Sequence, residues 1–575
     1  LPASPCRNSS AKPSFPAARA ILADVHKYID SFGPHFYPMP KTFSPGQTVQ
    51  MPEDYIRDQL LDAADVIRPY GKHSLGDDEI GYQLGNGIEV DHFLARKMAV
   101  ATARLFLLAR TVPELKEMCM FTVMQMTEGR ASFGLWEAEG GGDLSNYSKL
   151  TDESSVWPRP VVAAYATTTR MTAHAVHAEY LSVHKDMPVC VYRKKNEVVA
   201  ALWTGAADPL GVTIPLSTGV RTADLMGNTT GSLPPGTAEL TLTDAPLFLI
   251  ADVNNADALV SSVKAARVNG ASIALSARMS HLDVCELKIG NLVNRNRDLT
   301  LHAPGAIQVD HAIRLNPLET KLYRVPLAGS TISERNGTKL IFSIEDIAEK
   351  EASVNISLHP AFLSVAGLRE GDDALKSIAS ISPAIILDSQ SHLSPPDAFP
   401  FWKGPADASV QCRLGWDEKG MCLLAEVRDD VHIQNYSNLY MYQQDSLVFS
   451  LNIDEEDRIS RSGDGFLEIF MSYQDAPNMI ITRAPAGSPF ADRKIKPEFT
   501  VRKAGENSWV YQCILPWAAI MKGVPQPGKV FKMNVVYMDA DNPNDKAVYW
   551  LQLTGGIHGG PKDPGVFRDF VLSDK

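Results

Sequence analysis

The sequence has no apolar run near the roughly 20 residues that a membrane-spanning helix requires, which excludes a helical membrane protein. It has no basic run either: 55 Lys and Arg stand against 67 Asp and Glu, a formal net charge of −12. Such a balance makes a poor candidate for a nucleic-acid or anionic-membrane binder and suits a soluble protein with neutral ligands. Cysteine is sparse, with Cys6, Cys119, Cys190, Cys285, Cys412, Cys422 and Cys513 scattered and no CxxC spacing of a zinc or redox site. Cys412 and Cys422 are placed to face each other on paired strands, but the preferred reading is buried free thiols. No segment repeats at a fixed period, and no low-complexity tract occurs beyond Gly140–Gly142. The chain opens on Leu1, without an initiator Met or the apolar core of a signal peptide, so a processed or cropped front is expected.

What is present is ordinary globular composition over a length that implies several cores: 575 residues, 45% apolar and 21% charged. Six N-x-S/T sequons, at Asn8, Asn146, Asn228, Asn336, Asn355 and Asn435, point to a secreted glycoprotein.

Residues 20 to 175 alternate strand-like and helix-like segments. Ala20–His26 is a short apolar run expected to form a buried strand. Pro52 opens a helical pattern through Ile56, Leu60, Ala64 and Ile67. Asp91 is a candidate cap for a helix carrying Leu94, Met98, Ala101, Leu105 and Leu108. Met118–Met126 reads as another strand, and Pro158 and Pro160 open a third helix. This alternation predicts parallel β/α units. From about Tyr180 the texture changes to short alternating runs broken by Gly, Pro and Asn, which predicts antiparallel sandwiches. The expected architecture is multidomain: a partial (β/α)8 TIM-barrel-like unit over 1–178, then three antiparallel β-sandwich domains over 179–252, 253–383 and 384–575. Ser394-Pro395-Pro396 is the clearest linker punctuation.

Three features fall at the ends of successive predicted strands: His26-Lys27-Tyr28, Glu79-Ile80-Gly81-Tyr82 and Gly134-Leu135-Trp136-Glu137. In a (β/α)8 barrel such strand ends share one mouth, where the active site is built. A carboxylate can attack an anomeric carbon, a phenol can hold it in place, and an indole can stack on a sugar ring.

On these residues the chain resembles the clan A glycoside hydrolases, retaining enzymes on a TIM barrel. Their sixth strand often ends in His-x-Tyr, matched by His26 and Tyr28. Their seventh ends in the nucleophilic Glu, matched by Glu79 in Glu79-Ile80-Gly81-Tyr82, and their eighth carries a substrate-site Trp, for which Trp136 is the candidate. The later runs Ala201-Leu202-Trp203-Thr204 and Ala245-Pro246-Leu247-Phe248-Leu249 are similar to the sandwich fused to such barrels. Two departures stand out. Three β/α units are visible where a barrel needs eight, and the clan's Asn-Glu acid/base has no counterpart, because Asn196-Glu197 falls in a predicted sandwich hairpin.

Residues from about 398 resemble the family-9 carbohydrate-binding module, on Phe401-Trp402-Lys403-Gly404, Leu414-Gly415-Trp416-Asp417, Ala425–His432, Gln444-Asp445-Ser446 and Val548-Tyr549-Trp550. Such modules clamp a terminal sugar between aromatic faces, which makes Trp550 with Tyr440 or Tyr442 the candidate clamp. Asp429, Asp430 and Asp445 are candidate calcium ligands, since loop carboxylates suit a hard cation; the alternative is a solvated acidic loop. No other cofactor is expected.

The expectation is a secreted, extracellular modular glycoside hydrolase, a retaining β-glycosidase acting on a polysaccharide or oligosaccharide. Its site would comprise Glu79 as nucleophile, Tyr28 as its hydrogen-bond partner, and His26 and Trp136 lining the subsite. Its partners would be a glycan and a further chain completing the barrel. The alternative is a non-catalytic glycan-binding or structural component with a degenerate barrel.

Overall fold

The structure, a computed structural model, describes residues 16–574 apart from short internal stretches, the longest at 86–91, 139–155, 348–353, 453–465 and 484–496. The fold is mostly β-sheet, and among the described residues no helix is long and apolar enough to cross a membrane. The sequons at Asn8 and Asn146, the thiol of Cys6, Asp91, and Gly140–Gly142 lie outside the described residues.

The first element corrects the sequence reading. Pro16–Val25 is an α-helix running into a single 3-10 turn at His26–Tyr28, where a strand was expected. Four alanines in ten residues and a proline in the first turn favour a helix over a strand. The chain becomes extended only afterwards. At Phe32 it lies parallel to Leu75–Ile80, with the Phe32 N–H donating to the Ser74 carbonyl at 3.1 Å. Leu75–Ile80 in turn pairs in parallel with Leu115–Met120. Helices Ile56–Ile67 and His92–Ala109 make the crossovers. Three chain passes are therefore parallel, as expected of β/α units, but the described residues do not show a barrel. Short strands gather at one end of these passes. Thr42–Phe43 pairs in parallel with Gln83–Gly85, which continues antiparallel into Ala131–Phe133 and Met126–Glu128.

Helix His92–Ala109 is apolar nearly all round because it is covered on both sides. One side packs on Pro160–Thr172 and the rest of the first core; the other meets the next sheet. There Arg104 donates to the carbonyls of Asp244 (2.8 Å) and Thr204 (2.6 Å), and lies 3.4 Å from Glu53, which also accepts the Trp203 indole N–H. Burial pushes the Glu53 carboxyl above its ordinary range, while the Arg104 charge opposes the shift.

That next sheet has six strands, ordered Thr229–Leu233, Val220–Ala223, Leu247–Asp252, Glu197–Leu202, Met187–Arg193, His177–His184. Tyr192, Ala201 and Phe248 on one face complete the first core, while Val189, Leu202 and Leu249 on the other pack on a second. The strand Met187–Arg193 thus reads as continuously apolar rather than alternating. The opposing layer is three-stranded and takes its last strand from Arg267–Asn269. A third unit stacks Ile273–His281, Val284–Asn291 and Thr320–Pro326 on a four-stranded sheet built around Arg297–His302 and Leu340–Asp346.

The C-terminal unit is one continuous ribbon of strands folded into two layers over a shared core of Leu414, Leu423, Phe449, Ile469, Tyr511 and Tyr537. The strand Leu363–Gly367 joins the layers, pairing with Arg568–Leu572 along its first half and with Gly415 and Trp416 along its second. Gly415 suits this crossing, since a Cβ there would lie 2.7 Å from Ile378. Cys412, Cys422 and Cys513 are buried free thiols here; Cys412 faces Ala425 and Cys422 faces Gly415, so the two do not pair.

Candidate functional site

Strand Leu75–Ile80 delivers Glu79 to its carboxyl end, and the chain next pairs at Gln83–Gly85. A close approach at the link between them requires glycine. The Phe121 N–H donates to the Ile80 carbonyl at 2.7 Å, and a Cβ on Gly81 would come 2.3 Å from the Phe121 oxygen. Tyr82 then plunges into the core, fully buried, with its hydroxyl on the Gln50 carbonyl at 3.0 Å. Glu79 is left partly open, 37% exposed, with Tyr37 donating its hydroxyl to Oε1 at 2.7 Å and His35 Nδ1 3.7 Å from Oε2. The Tyr37 ring leans on Phe133 (centroids 5.8 Å apart), which meets Phe121 edge-on at 5.0 Å. The Lys41 ammonium lies over both the Tyr37 and Phe133 rings, 4.5 and 4.8 Å from their centroids. A carboxylate held by a phenol, with one face open, is equipped to act as a nucleophile or a base.

The residues expected around Glu79 are only partly the ones found there. His26 stacks on Tyr70 at 4.7 Å and places Nδ1 2.9 Å from the Leu22 carbonyl. Tyr28 is 77% exposed with Lys27 over its ring. Both belong to the turn after the first helix, and the phenol on Glu79 is that of Tyr37. A second His-x-Tyr, His35-Phe36-Tyr37, lies after the helix that replaces the expected strand, and it is this pair that flanks Glu79. Trp136 is half-buried against the first core on the short strand Trp136–Ala138. A second indole was missed. Trp157 on the paired strand Val156–Pro158 is exposed and donates Nε1–H to Glu137 at 3.2 Å. Glu137 is backed by Arg159, which donates to the carbonyls of Phe133 and Gly134.

In the C-terminal unit, Trp550 pairs across strands with Met538 and rests half-buried on an outer apolar cluster of Met441, Val448, Phe470, Met538, Ile557 and Phe567. Tyr442 is exposed at 39% with its ring 6.4 Å from that of Phe470, so it borders the same cluster. Tyr440, one turn-residue before Met441, is 55% exposed. Trp416 and Trp517, by contrast, are core indoles tied to the carbonyls of Ser573 and Asp417.

The three candidate calcium ligands divide between two clusters: Asp429 and Asp445 with His432, and Asp430 with Asp407 and Asp541. The first fits a hard cation poorly. Asp445 accepts the backbone N–H groups of Ile433 and Ala540, one per oxygen; Asp429 accepts the Val431 N–H on Oδ1 and the Tyr537 hydroxyl on Oδ2, where His432 Nδ1 also lies at 3.0 Å. Its remaining group is an imidazole nitrogen, not oxygen. The second cluster offers three carboxylates, two of them exposed, but the Lys403 ammonium already bridges Asp541 (2.9 Å) and Asp407 (3.4 Å). Between the clusters, burial and the neighbouring Asp charges push the Asp539 carboxyl up to about 8, against the opposing hydrogen bond from Tyr549. Burial likewise pushes Asp445 well above the usual carboxylate range, helped by Asp429.

No protein-family model matches the chain, and no curated protein matches it. Solved structures similar to it include a family-9 carbohydrate-binding module from Caldicellulosiruptor kristjanssonii in complex with cellotriose. That match is 17% identical, covers 37% of this chain and 93% of that one, and has a TM-score of 0.27. A putative carbohydrate-binding protein from Bacteroides uniformis is 14% identical, covering 37% of this chain and 98% of that one at a TM-score of 0.26. A β-porphyranase of glycoside hydrolase family 86 from Bacteroides plebeius is 12% identical, covering 54% of this chain and 60% of that one at a TM-score of 0.27. The similar structures thus include both carbohydrate-binding modules and glycoside hydrolases.

Proposed function

We propose that the protein is a secreted modular glycoside hydrolase of the retaining type, acting on a polysaccharide or oligosaccharide, in which residues up to about 178 form part of a (β/α)8 barrel. The observation that carries this reading is the Tyr37 hydroxyl on the strand-end carboxylate of Glu79, 2.7 Å away. Glu79 would attack the anomeric carbon as the glycosidic C–O bond breaks, giving a glycosyl ester that water then hydrolyses. Tyr37 keeps one carboxylate oxygen anchored so that the other points at the sugar. Retention needs a second carboxyl roughly 5–5.5 Å away to protonate the leaving oxygen and then activate water. The side-chain polar contacts described at Glu79 are a phenol and an imidazole, and we assign that acid/base to a further chain completing the barrel, as the resemblance implies. In the C-terminal unit, Trp550 and Tyr442 would form a shallow platform that holds a sugar by its apolar face. Calcium, if bound there, would belong at Asp407, Asp430 and Asp541 in exchange for Lys403.

Hydrolysis of a glycan panel by the protein and by Glu79→Gln tests the reading. Loss of activity with retained folding supports it; a variant as active as the parent removes Glu79 from the chemistry. The alternative, a non-catalytic glycan-binding protein, rests on the exposed aromatic face around Trp550, and gains if glycans bind but none is cleaved.

A further inference from the structure

The face of the six-stranded sheet that completes the first core changes character toward the strand ends. Val199, Phe248 and Ile250 on that face are buried in the core. The next positions on it are polar. Glu197 pairs with Asp252, and Arg221 stands in register between Ile250 on one side and Ser232 on the other. Residues directly opposite on paired strands share a face, as do residues two apart along one strand. Strand pairing itself therefore gathers these side chains, and they line a cavity of about 520 Å³, a size usual for a small-molecule site.

The polar groups there are only half engaged. Glu197 gives Oε1 to the Lys194 ammonium at 2.7 Å and holds Oε2 3.5 Å from the Arg221 guanidinium, longer than a direct hydrogen bond. Asp252 gives Oδ1 to the Asn254 N–H at 2.9 Å. The Arg221 side chain is 60% exposed. Lys194 and Arg221 balance the two carboxylates, so the cavity does not select an ion by its charge. A guanidinium beside a carboxylate oxygen sets donors next to an acceptor, which is what a hydroxyl, donor and acceptor at once, requires. Leu233, Pro234 and Ile250 add apolar lining. Adjacent hydroxyls around a ring with C–H faces are the chemistry of a pyranose sugar.

We infer that this cavity is a second saccharide site, taking a neutral pyranose whose adjacent hydroxyls bridge Glu197 and Arg221. The choice of a sugar as ligand rests on the proposed glycan function. The site itself does not, since it is built from none of the residues around Glu79 or Trp550.

The experiment is an NMR titration of the full-length protein carrying Trp550→Ala, which removes the C-terminal platform. The ligands are cellotriose, xylotriose and mannotriose, with trigalacturonate as the charged comparison. At least one neutral trisaccharide is expected to bind, and trigalacturonate no more tightly. Adding Arg221→Ala should weaken that binding by about ten-fold or more. The melting temperature should stay where it was, because the side chain is exposed. Glu197→Gln, which keeps the shape and removes the charge, should weaken binding by about three-fold or more. Affinities that survive both substitutions, a preference for trigalacturonate, or no binding by any neutral trisaccharide overturns the inference. The glycan reading fails separately, if the parent protein with Trp550 intact neither binds nor cleaves any of these sugars.

Discussion

Glu79 and Asp445 are both carboxylates beside a histidine, one near each end of the chain, and they are handled in opposite ways. Glu79 is 37% exposed; one oxygen takes a phenol, and the nearest imidazole nitrogen is 3.7 Å from the other. Asp445 has no exposure, its two oxygens each take a backbone N–H, and His432 stands 3.6 Å away. A group with an open face and spare acceptor capacity can meet a substrate. One that is buried with both oxygens on backbone N–H groups serves the fold. A carboxylate beside a histidine is thus left open in the first unit and tied to backbone N–H groups in the last.

The sharpest break between them is expected from removing charge at each. Glu79→Gln should lower hydrolysis by about a thousand-fold or more while leaving the melting temperature nearly unchanged. Asp445→Asn should do the reverse, since its amide would turn a donor toward a backbone N–H. A loss of about 2–4 kcal/mol is expected, read by denaturant unfolding. Of similar size is the core effect of Trp416→Ala, about 3–5 kcal/mol, against little loss of stability for Trp550→Ala. Trp550→Ala should instead abolish sugar binding by the C-terminal face, measured by titration; unchanged affinity would show that the platform lies elsewhere.

Smaller and more specific is the choice of phenol. Tyr37→Phe should slow hydrolysis about ten-fold or more, whereas Tyr28→Phe, at a 77% exposed turn, should change nothing. Parallel kinetics of the two variants decide between the two His-x-Tyr pairs.

That choice also shows what the sequence could carry. The strand-end position of Glu79 was legible through the resemblance carried by Glu79-Ile80-Gly81-Tyr82, and the structure gives Gly81 its reason in the close Phe121 carbonyl. The helices at 56–67, 92–109 and 160–172 were legible from their periodicity and prolines. His26 and Tyr28 were misassigned because an alanine-rich ten-residue run is apolar in either state, and only its pairing partners tell helix from strand. Asp429, Asp430 and Asp445 are near neighbours in sequence, yet strand geometry sends them to two clusters, and the lysine neutralising one of them is distant from Asp541 in the chain. Trp157 escaped notice because its partner, Glu137, is defined only by the pairing of two three-residue strands.

Proton linkage separates the two ends again. Burial raises the carboxyls of Asp445 and Asp539 above the ordinary range, Asp539 to about 8, whereas unfolded carboxyls release their protons near pH 4. Between there and about pH 8 the folded state binds more protons than the unfolded one, so stability contributed by these groups falls as pH rises. In chelator-treated protein the C-terminal transition should melt higher at pH 5 than at pH 8; the opposite order would place the charged forms in the fold. The smallest effect is expected at Lys403, whose side chain is 63% exposed: Lys403→Met should cost on the order of 0.5–1 kcal/mol.

The proposed function turns most directly on whether Glu79 is the carboxylate that meets the sugar. Incubating the protein with 2-deoxy-2-fluoro glycosides bearing good leaving groups, neutral and anionic, followed by peptide mapping by mass spectrometry, locates any covalent adduct. The predicted result is a single glycosyl ester on the peptide containing Glu79, formed more slowly in Tyr37→Phe and at the parent rate in Tyr28→Phe. An adduct on another carboxylate, or none with any of the glycosides, would contradict it.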